Sequence, residues 1–299
     1  MILVGTCSWT EKTLIKSGEF YPKSIRTSQD RLRYYASHFP TVEIDSTYYA
    51  IPYKENAVLW SQRTPERFVF HVKVYAALTG HGIDPVTLPE DLRRTLPMPQ
   101  IGQKYVYIKD PSLLNEIAGR FIDSLSPLAS SNKLGLLVFQ FPPWFHYKTT
   151  NLDYILKCKE LVGNLPIAVE FRHGSWLGNN SESVFKFLSD NNITYITADE
   201  PQYGSQATIP FIPYATTDIA YLRLHGRNSE NWLKRGIDTP LRYKYLYSEE
   251  ELRGFIPSIA RLNSTARVTY VMFNNCYGGF AIRNAARMRE LVEEIGKES

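Results

Sequence analysis

Charged residues recur two apart at the ends of short apolar runs: Glu43 with Asp45, His71 with Lys73, Glu170 with Arg172, and Arg223 with His225. Along an extended strand, residues two apart share a face. Each pair therefore points one way. Gln140, Asp199 and Asn274 close three further runs of the same kind. A buried carboxyl, or one beside another carboxylate, keeps its proton to higher pH, whereas one beside a cation ionises early. The candidate catalytic groups are Glu170, Glu43, His225 and Asp45, with Glu170 or Glu43 as base and His225 as acid or hydrogen-bond donor. Arg172, Arg223 and Lys73 are expected to anchor an anion, assisted by His71, Gln140, Asp199 and Asn274. Gly226 follows His225, where backbone can approach a ligand closely.

If these faces all point inward, two tiers form. A deeper tier holds Glu43, His71, Glu170 and Arg223. An upper tier holds Asp45, Lys73, Arg172, Asp199 and His225, completed by Gln140 and Asn274. So many buried charges are tolerable only when paired, since an isolated buried ion costs several kcal/mol. A purely structural ion-pair layer is the competing reading. Apolar residues would serve stability as well or better, so chemistry explains the layer more fully. The carboxylates and histidines are acceptable metal ligands, but Lys73, Arg172 and Arg223 in the same tiers repel a divalent ion. No cofactor or metal is expected. Lys73, between Val72 and Val74, is read as an ion-pair or ligand-binding lysine rather than a Schiff-base amine, because neighbouring carboxylates keep it charged.

The last run continues into Asn274-Asn275-Cys276-Tyr277-Gly278-Gly279. Gly278 and Gly279 are expected to let backbone N–H groups reach an anion at a helix start, with Arg283 one turn on. The stretch Arg242-Tyr243-Lys244-Tyr245-Leu246-Tyr247 interleaves cations and aromatics as single-strand nucleic-acid grooves do. A loop packing tyrosines over the site is the favoured reading. Cys7 reads as a buried thiol in preference to a nucleophile.

The elements that must position these residues are eight apolar runs, at residues 2–7, 42–47, 68–75, 134–141, 167–173, 194–199, 219–226 and 267–275. Most are short and nearly continuous, as strands buried on both faces are. Helical periodicity fills 29–39, 54–63, 112–129, 152–162, 182–191, 249–262 and 280–295. Ser248 with Glu251 forms a capping box, and Ser181 reads as an N-cap. This alternation predicts an α/β fold, a single TIM-type (β/α)8 barrel domain over 1–299. Long loops follow the third and seventh strands, at 76–111 and 227–247. Residues 201–217, with three prolines and no helical period, predict an irregular connection in place of the sixth helix.

The chain has 299 residues, 43% of them apolar and 21% charged, with a net charge of +4. This suits one soluble barrel and lacks the concentrated basicity of a dedicated DNA-binding protein. Three scattered cysteines form neither a zinc pattern nor a disulfide framework. No apolar stretch reaches the roughly 18 residues of a membrane span. A cytoplasmic location follows as the expectation, with no membrane partner and no assigned oligomeric state.

Several segments together resemble the YecE-like family of domains of unknown function. These are Gly5-Thr6-Cys7-Ser8-Trp9, Phe20-Tyr21-Pro22, Tyr34-Tyr35-Ala36, Thr41-Val42-Glu43-Ile44-Asp45-Ser46-Thr47-Tyr48-Tyr49, Phe139-Gln140-Phe141-Pro142-Pro143, Glu170-Phe171-Arg172-His173, Arg223-Leu224-His225-Gly226 and Phe273-Asn274-Asn275. The resemblance runs in order along nearly the whole chain and implies a TIM-type barrel but no activity. Asp45 stands where the family more often has Asn, and Ala50 where Arg is common. His81 matches a Thr-His feature, loosened by Gly80.

The leading expectation is acid/base chemistry, as an isomerase, lyase or hydrolase, on a small anionic or polyhydroxylated molecule such as a sugar phosphate. A metal-dependent phosphodiesterase or nucleic-acid-processing barrel is the second reading. A non-catalytic barrel binding a ligand or protein is the third.

Overall fold

The computed structural model describes residues 1–97, 103–204 and 207–298, the last four by backbone alone. Eight parallel strands close in sequence order into a barrel: β1 (Ile2–Thr6), β2 (Thr41–Ile44), β3 (Val69–Lys73), β4 (Leu134–Gln140), β5 (Ile167–Glu170), β6 (Thr194–Asp199), β7 (Ile219–Leu224) and β8 (Val268–Phe273). The ring closes through β1 and β8, in register from Ile2↔Thr269 to Thr6↔Phe273. The helices are α1 (Lys12–Ser17), α2 (Ser28–His38), α3 (Lys54–Gln62), α4 (Glu90–Arg94), α5 (Pro111–Ser130), α6 (Thr149–Leu161), α7 (Ser181–Asp190), α8 (Thr239–Arg242), α9 (Glu249–Thr265) and α10 (Phe280–Glu298). Every helix of three turns or more matches an expected helical segment. The short α1, α4 and α8, of six, five and four residues, are themselves too brief to show a period.

Several expected strands run past the ladder. Asp45, Arg172, His225 and Asn274 lie just beyond the last residues of β2, β5, β7 and β8. A residue that turns into the mouth leaves the sheet hydrogen bonds, so an apolar run outlasts its strand. Between β6 and β7 the described residues form no helix, as the prolines require. The segment after β3 holds two 3-10 turns, Ala76–Thr79 and Pro85–Thr87, then α4 and an isolated bridge Ile83↔Val106. The capping box of α9 is present in both directions, with Glu251 N–H on Ser248 Oγ and Ser248 N–H on Glu251 Oε2. Ser181 is not an N-cap. It is the first residue of α7, the cap position is Asn180, and Ser181 Oγ bonds the Gly178 carbonyl.

Inside the barrel, Leu136, Val138, Ala168, Ile196, Tyr221, Tyr270 and Met272 form a small apolar layer of their own. The opposite strand faces pack on the helices in a much larger core. Beneath the polar mouth, the His71 ring meets the rings of Tyr221 and Tyr270 edge-on, at 4.8 and 4.2 Å. Its Nδ1 accepts the Leu136 N–H at 3.0 Å. A methyl group at Gly135 would lie 2.7 Å from that same nitrogen. Gly135→Ala is expected to destabilise the fold by about 1–3 kcal/mol, the usual cost of overpacking, as measured by urea denaturation. A cost below about 0.5 kcal/mol would show that His71 is free to shift.

Candidate active site

Arg223 is the hub of the polar layer. It is fully buried, with Nη1 2.5 Å from Glu170 Oε2 and Nη2 2.7 Å from Glu43 Oε1. Nη2 also lies 3.5 Å from Asp45 Oδ1. Glu43 Oε2 accepts the Tyr221 hydroxyl at 2.7 Å. Strands β2, β5 and β7 supply the charged members because their inward positions coincide at this level. Glu43 pairs with His71 across β2 and β3, and Gln140 with Glu170 across β4 and β5.

Glu170 and Glu43 share this cation but differ in what else surrounds them. Glu170 Oε1 accepts from Gln140 Nε2 at 2.6 Å and Arg172 Nη1 at 2.9 Å, and lies 3.1 Å from His225 Nε2. Burial alone would raise its pKa. Arg223, His225 and Arg172 overcome that and hold the carboxyl well below its ordinary value. Glu43 has one guanidinium and one phenol. Burial raises it, Arg223 opposes, and the Asp45 carboxylate raises it again, to about 7. Of the two, only Glu43 sits near neutrality.

Asn274 Nδ2 lies 2.9 Å from His225 Nδ1. With the amide donating, Nδ1 is an acceptor and Nε2 carries the proton toward Glu170, a tautomer assigned from partners. Burial pushes His225 down to about 4. It is thus a neutral imidazole at physiological pH, donating to a carboxylate that is already saturated.

Above this layer opens a cleft of about 500 Å³, whose walls include Cys7, Asp45, Tyr49, Lys73, Tyr243 and Asn274. Asp45 is 27% exposed and Lys73 12%, with 3.7 Å between carboxylate and ammonium. The ammonium also stands 4.5 Å over the Tyr48 ring. Lys73 Nζ has no hydrogen-bond acceptor among the described residues. The loop after β7 folds over the site: Trp232 and Tyr243 each place a ring centroid 6.0 Å from that of His225. Trp232 also stacks under Arg172 at 4.9 Å. Tyr243 thus packs over the barrel, and Tyr245 and Tyr247 pack against one another beside it.

Five expected binding positions are corrected. Asp199 does not join the upper tier. Ile196 points inward with the interior layer, so Asp199, three residues on, lies on the other face. There it takes a forked contact from Arg227 and the Tyr247 hydroxyl. Gln140 belongs level with Glu170 in the deeper tier, not in the upper ring. His71 is fully buried with its ring against Tyr221 and Tyr270, and burial pushes its pKa down to about 3, so it serves the floor. The turn at Gly278 and Gly279 has φ of 59° and 91°, but the Gly278 N–H donates to Thr13 Oγ1 at 2.7 Å. These glycines allow α1 to dock, and that amide is spent. Gly226 likewise meets Tyr245 closely rather than a cleft.

The sequence model of the family described as "Protein of unknown function DUF72" matches residues 3–298. The chain belongs to the DUF72 family. It is 34% identical to UPF0759 protein YunF of Bacillus subtilis, over 98% of this chain and 95% of that protein. UPF0759 protein YecE of Escherichia coli K12 is 32% identical over 42% of this chain and 44% of its own. A DUF72 family protein from Thermotoga maritima has a crystal structure that matches this barrel with a TM-score of 0.78. The two are 32% identical, with 98% of this chain and 99% of that one covered. One from Enterococcus faecalis matches with a TM-score of 0.78 at 30% identity, covering 98% and 96%. The closed, all-parallel, eight-strand TIM-like barrel of this chain is thus a fold it shares with solved DUF72 proteins.

Within the DUF72 barrel, two residues that sequence reasoning left out of its site stand beside the polar layer. Glu200 follows β6 on the inward parity of Ile196. Its Oε2 lies 3.3 Å from Arg172 Nη2, and its Oε1 accepts the Ile209 N–H. Burial raises its pKa to about 7, against the pull of Arg172. A count of two from Ile196, rather than the polar end of the run, would have found it. His81 bonds Thr79 Oγ1 at 2.8 Å and meets Tyr48 edge-on. Burial, then Lys73 and Arg172, push it down to about 3. The Thr-His feature was its signal. Among the described residues, no three His, Cys, Asp or Glu side chains are grouped to hold a metal ion, and no helix is long and apolar enough to cross a membrane.

Proposed function

We propose that this barrel is an enzyme that carries out acid/base chemistry on a small oxyanion-bearing molecule at its C-terminal mouth. One observation carries the reading. Lys73 presents an ammonium to the cleft without a hydrogen-bond acceptor among the described residues, one tyrosine face below it and one long contact to Asp45 beside it. An ammonium has three donors to satisfy, and a carboxylate or phosphate oxygen entering the cleft satisfies them. Arg172 adds positive potential behind it. Asp45 is the carboxylate that a bound molecule meets first.

Glu43 supplies the proton reservoir. Both carboxylates approach the same Arg223 nitrogen, and the buried one has a pKa near 7, where general acids and bases work best. Glu170, held ionised by four donors, takes the part of an electrostatic anchor for Arg172, Arg223 and His225. The metal-dependent alternative has less support, because three cations occupy the positions around the same carboxylates.

A thermal-shift screen of phosphorylated sugars, nucleotides and carboxylic acids tests the reading. A molecule at 100 times its Kd adds about 2.7 kcal/mol of stability. Lys73→Met is expected to weaken the best hit at least tenfold, about 1.4 kcal/mol. The reading falls if the hit binds that variant as tightly as the wild type, or if no anion stabilises the protein.

A further inference from the structure

Next to the mouth lies a second recess, of about 240 Å³, with Ser8, Trp9, Ser28, Asn56, Trp60 and Arg63 in its walls. Ser8, Thr10, Asp45 and Ser46 line both this recess and the main cleft. The two spaces therefore share a wall of hydroxyls and one carboxylate. Two donors in the recess are unspent. The Arg63 guanidinium, half-buried at the end of α3, makes no ion pair and no hydrogen bond among the described residues. Trp9 is only 7% exposed, and its indole N–H has no acceptor among the described residues. That nitrogen is open to solvent. Trp60 holds the Trp9 ring edge-on, with centroids 6.1 Å apart.

Both donors reach solvent and have no acceptor among the described residues, so an anion entering the recess displaces only water to bond them. Guanidinium and indole donors around a pocket of this size match a planar or tetrahedral oxyanion, a carboxylate or a phosphate. Asp45 is the one carboxylate on the wall, and it faces Lys73 and Arg223 at 3.7 and 3.5 Å, which offsets its repulsion. We propose that the Trp9–Arg63 recess is a second oxyanion subsite, continuous with the mouth. Resting on the reading of the mouth as a ligand site, the molecule that fills both carries two acidic or phosphorylated ends, one on Lys73 and one on Arg63. This gives a use to the Ser8-Trp9 part of the first strand's motif, which the acid/base layer leaves unexplained.

The probe is inorganic phosphate, titrated at constant ionic strength into the full chain and followed by tryptophan fluorescence, since two indoles line the recess. Wild type is expected to show a saturable change. Arg63→Gln, at a half-buried helix end, weakens it at least tenfold, and Trp9→Phe weakens it severalfold. Lys73→Met separates the two sites. Loss in Arg63→Gln with retention in Lys73→Met supports the recess, whatever becomes of the mouth. Loss only in Lys73→Met overturns the recess and leaves the mouth reading standing. A wild type with no saturable change overturns it as well. Dicarboxylates from succinate to adipate then act as a ruler. One length should bind at least tenfold tighter than acetate, and the advantage should vanish in both Arg63→Gln and Lys73→Met. A flat series overturns the two-ended ligand.

Discussion

Arg223→Met will lower the stability of this barrel by about 3–5 kcal/mol at pH 8, the cost of removing one partner from a buried ion-pair set. The measurement is a urea unfolding curve, with the loss appearing as a lower midpoint at unchanged slope. Arg223 is fully buried and contacts Glu43 and Glu170, themselves fully buried. Methionine fills much of the volume but leaves two carboxylates facing each other. The loss must shrink as pH falls, because both carboxyls can then take protons. Arg223→Met with Glu43→Gln should recover part of it, since the removed charge is one that lost its partner. A loss below about 1 kcal/mol, or one independent of pH, would show that the network does not hold as an ionic unit.

The second large effect is a pH dependence. Glu43 is raised from an ordinary 4.5 to about 7. The native state therefore keeps a proton that the unfolded chain gives up between those values. This group's stabilising contribution is complete below about pH 4.5 and is lost as pH rises through 7. The span is worth about 3 kcal/mol. Glu43→Gln mimics the protonated form at every pH. Relative to wild type it should gain stability steadily from pH 4.5 to 8, by about 2–3 kcal/mol in total. Contributions from His71, His81, His225 and Glu200 cancel in that difference as long as their surroundings are unchanged. A difference that stays flat across the range would mean that Glu43 is ionised throughout, and the proton reservoir of the proposed chemistry would go with it.

Much of this was readable in the order of residues. The eight apolar runs appear as eight strands, and residues 201–217 carry no helix among those described. Glu43, Glu170, Arg223 and His225 meet within one bonded cluster, because spacing by two places each pair on a common strand face. The capping box at Ser248 and Glu251 was equally legible, since both partners lie within one helical turn.

What the sequence determined by itself was local: which segments are strands, and which residues of one strand share a face. It did not determine which face is the inside. A barrel strand is buried on both sides, so hydrophobicity carries no mark of direction. Asp199 and Glu200 are adjacent, and only the closed ring decides that Glu200 meets Arg172 while Asp199 turns to Arg227 and Tyr247. Depth is decided the same way. Gln140 sits beside Glu170 through the register of β4 against β5, a relation between strands that neither strand contains. The ionisation of the layer is likewise a tertiary property. Glu43 and Glu170 are the same residue type on the same arginine, and the three further donors around one of them separate their pKa values.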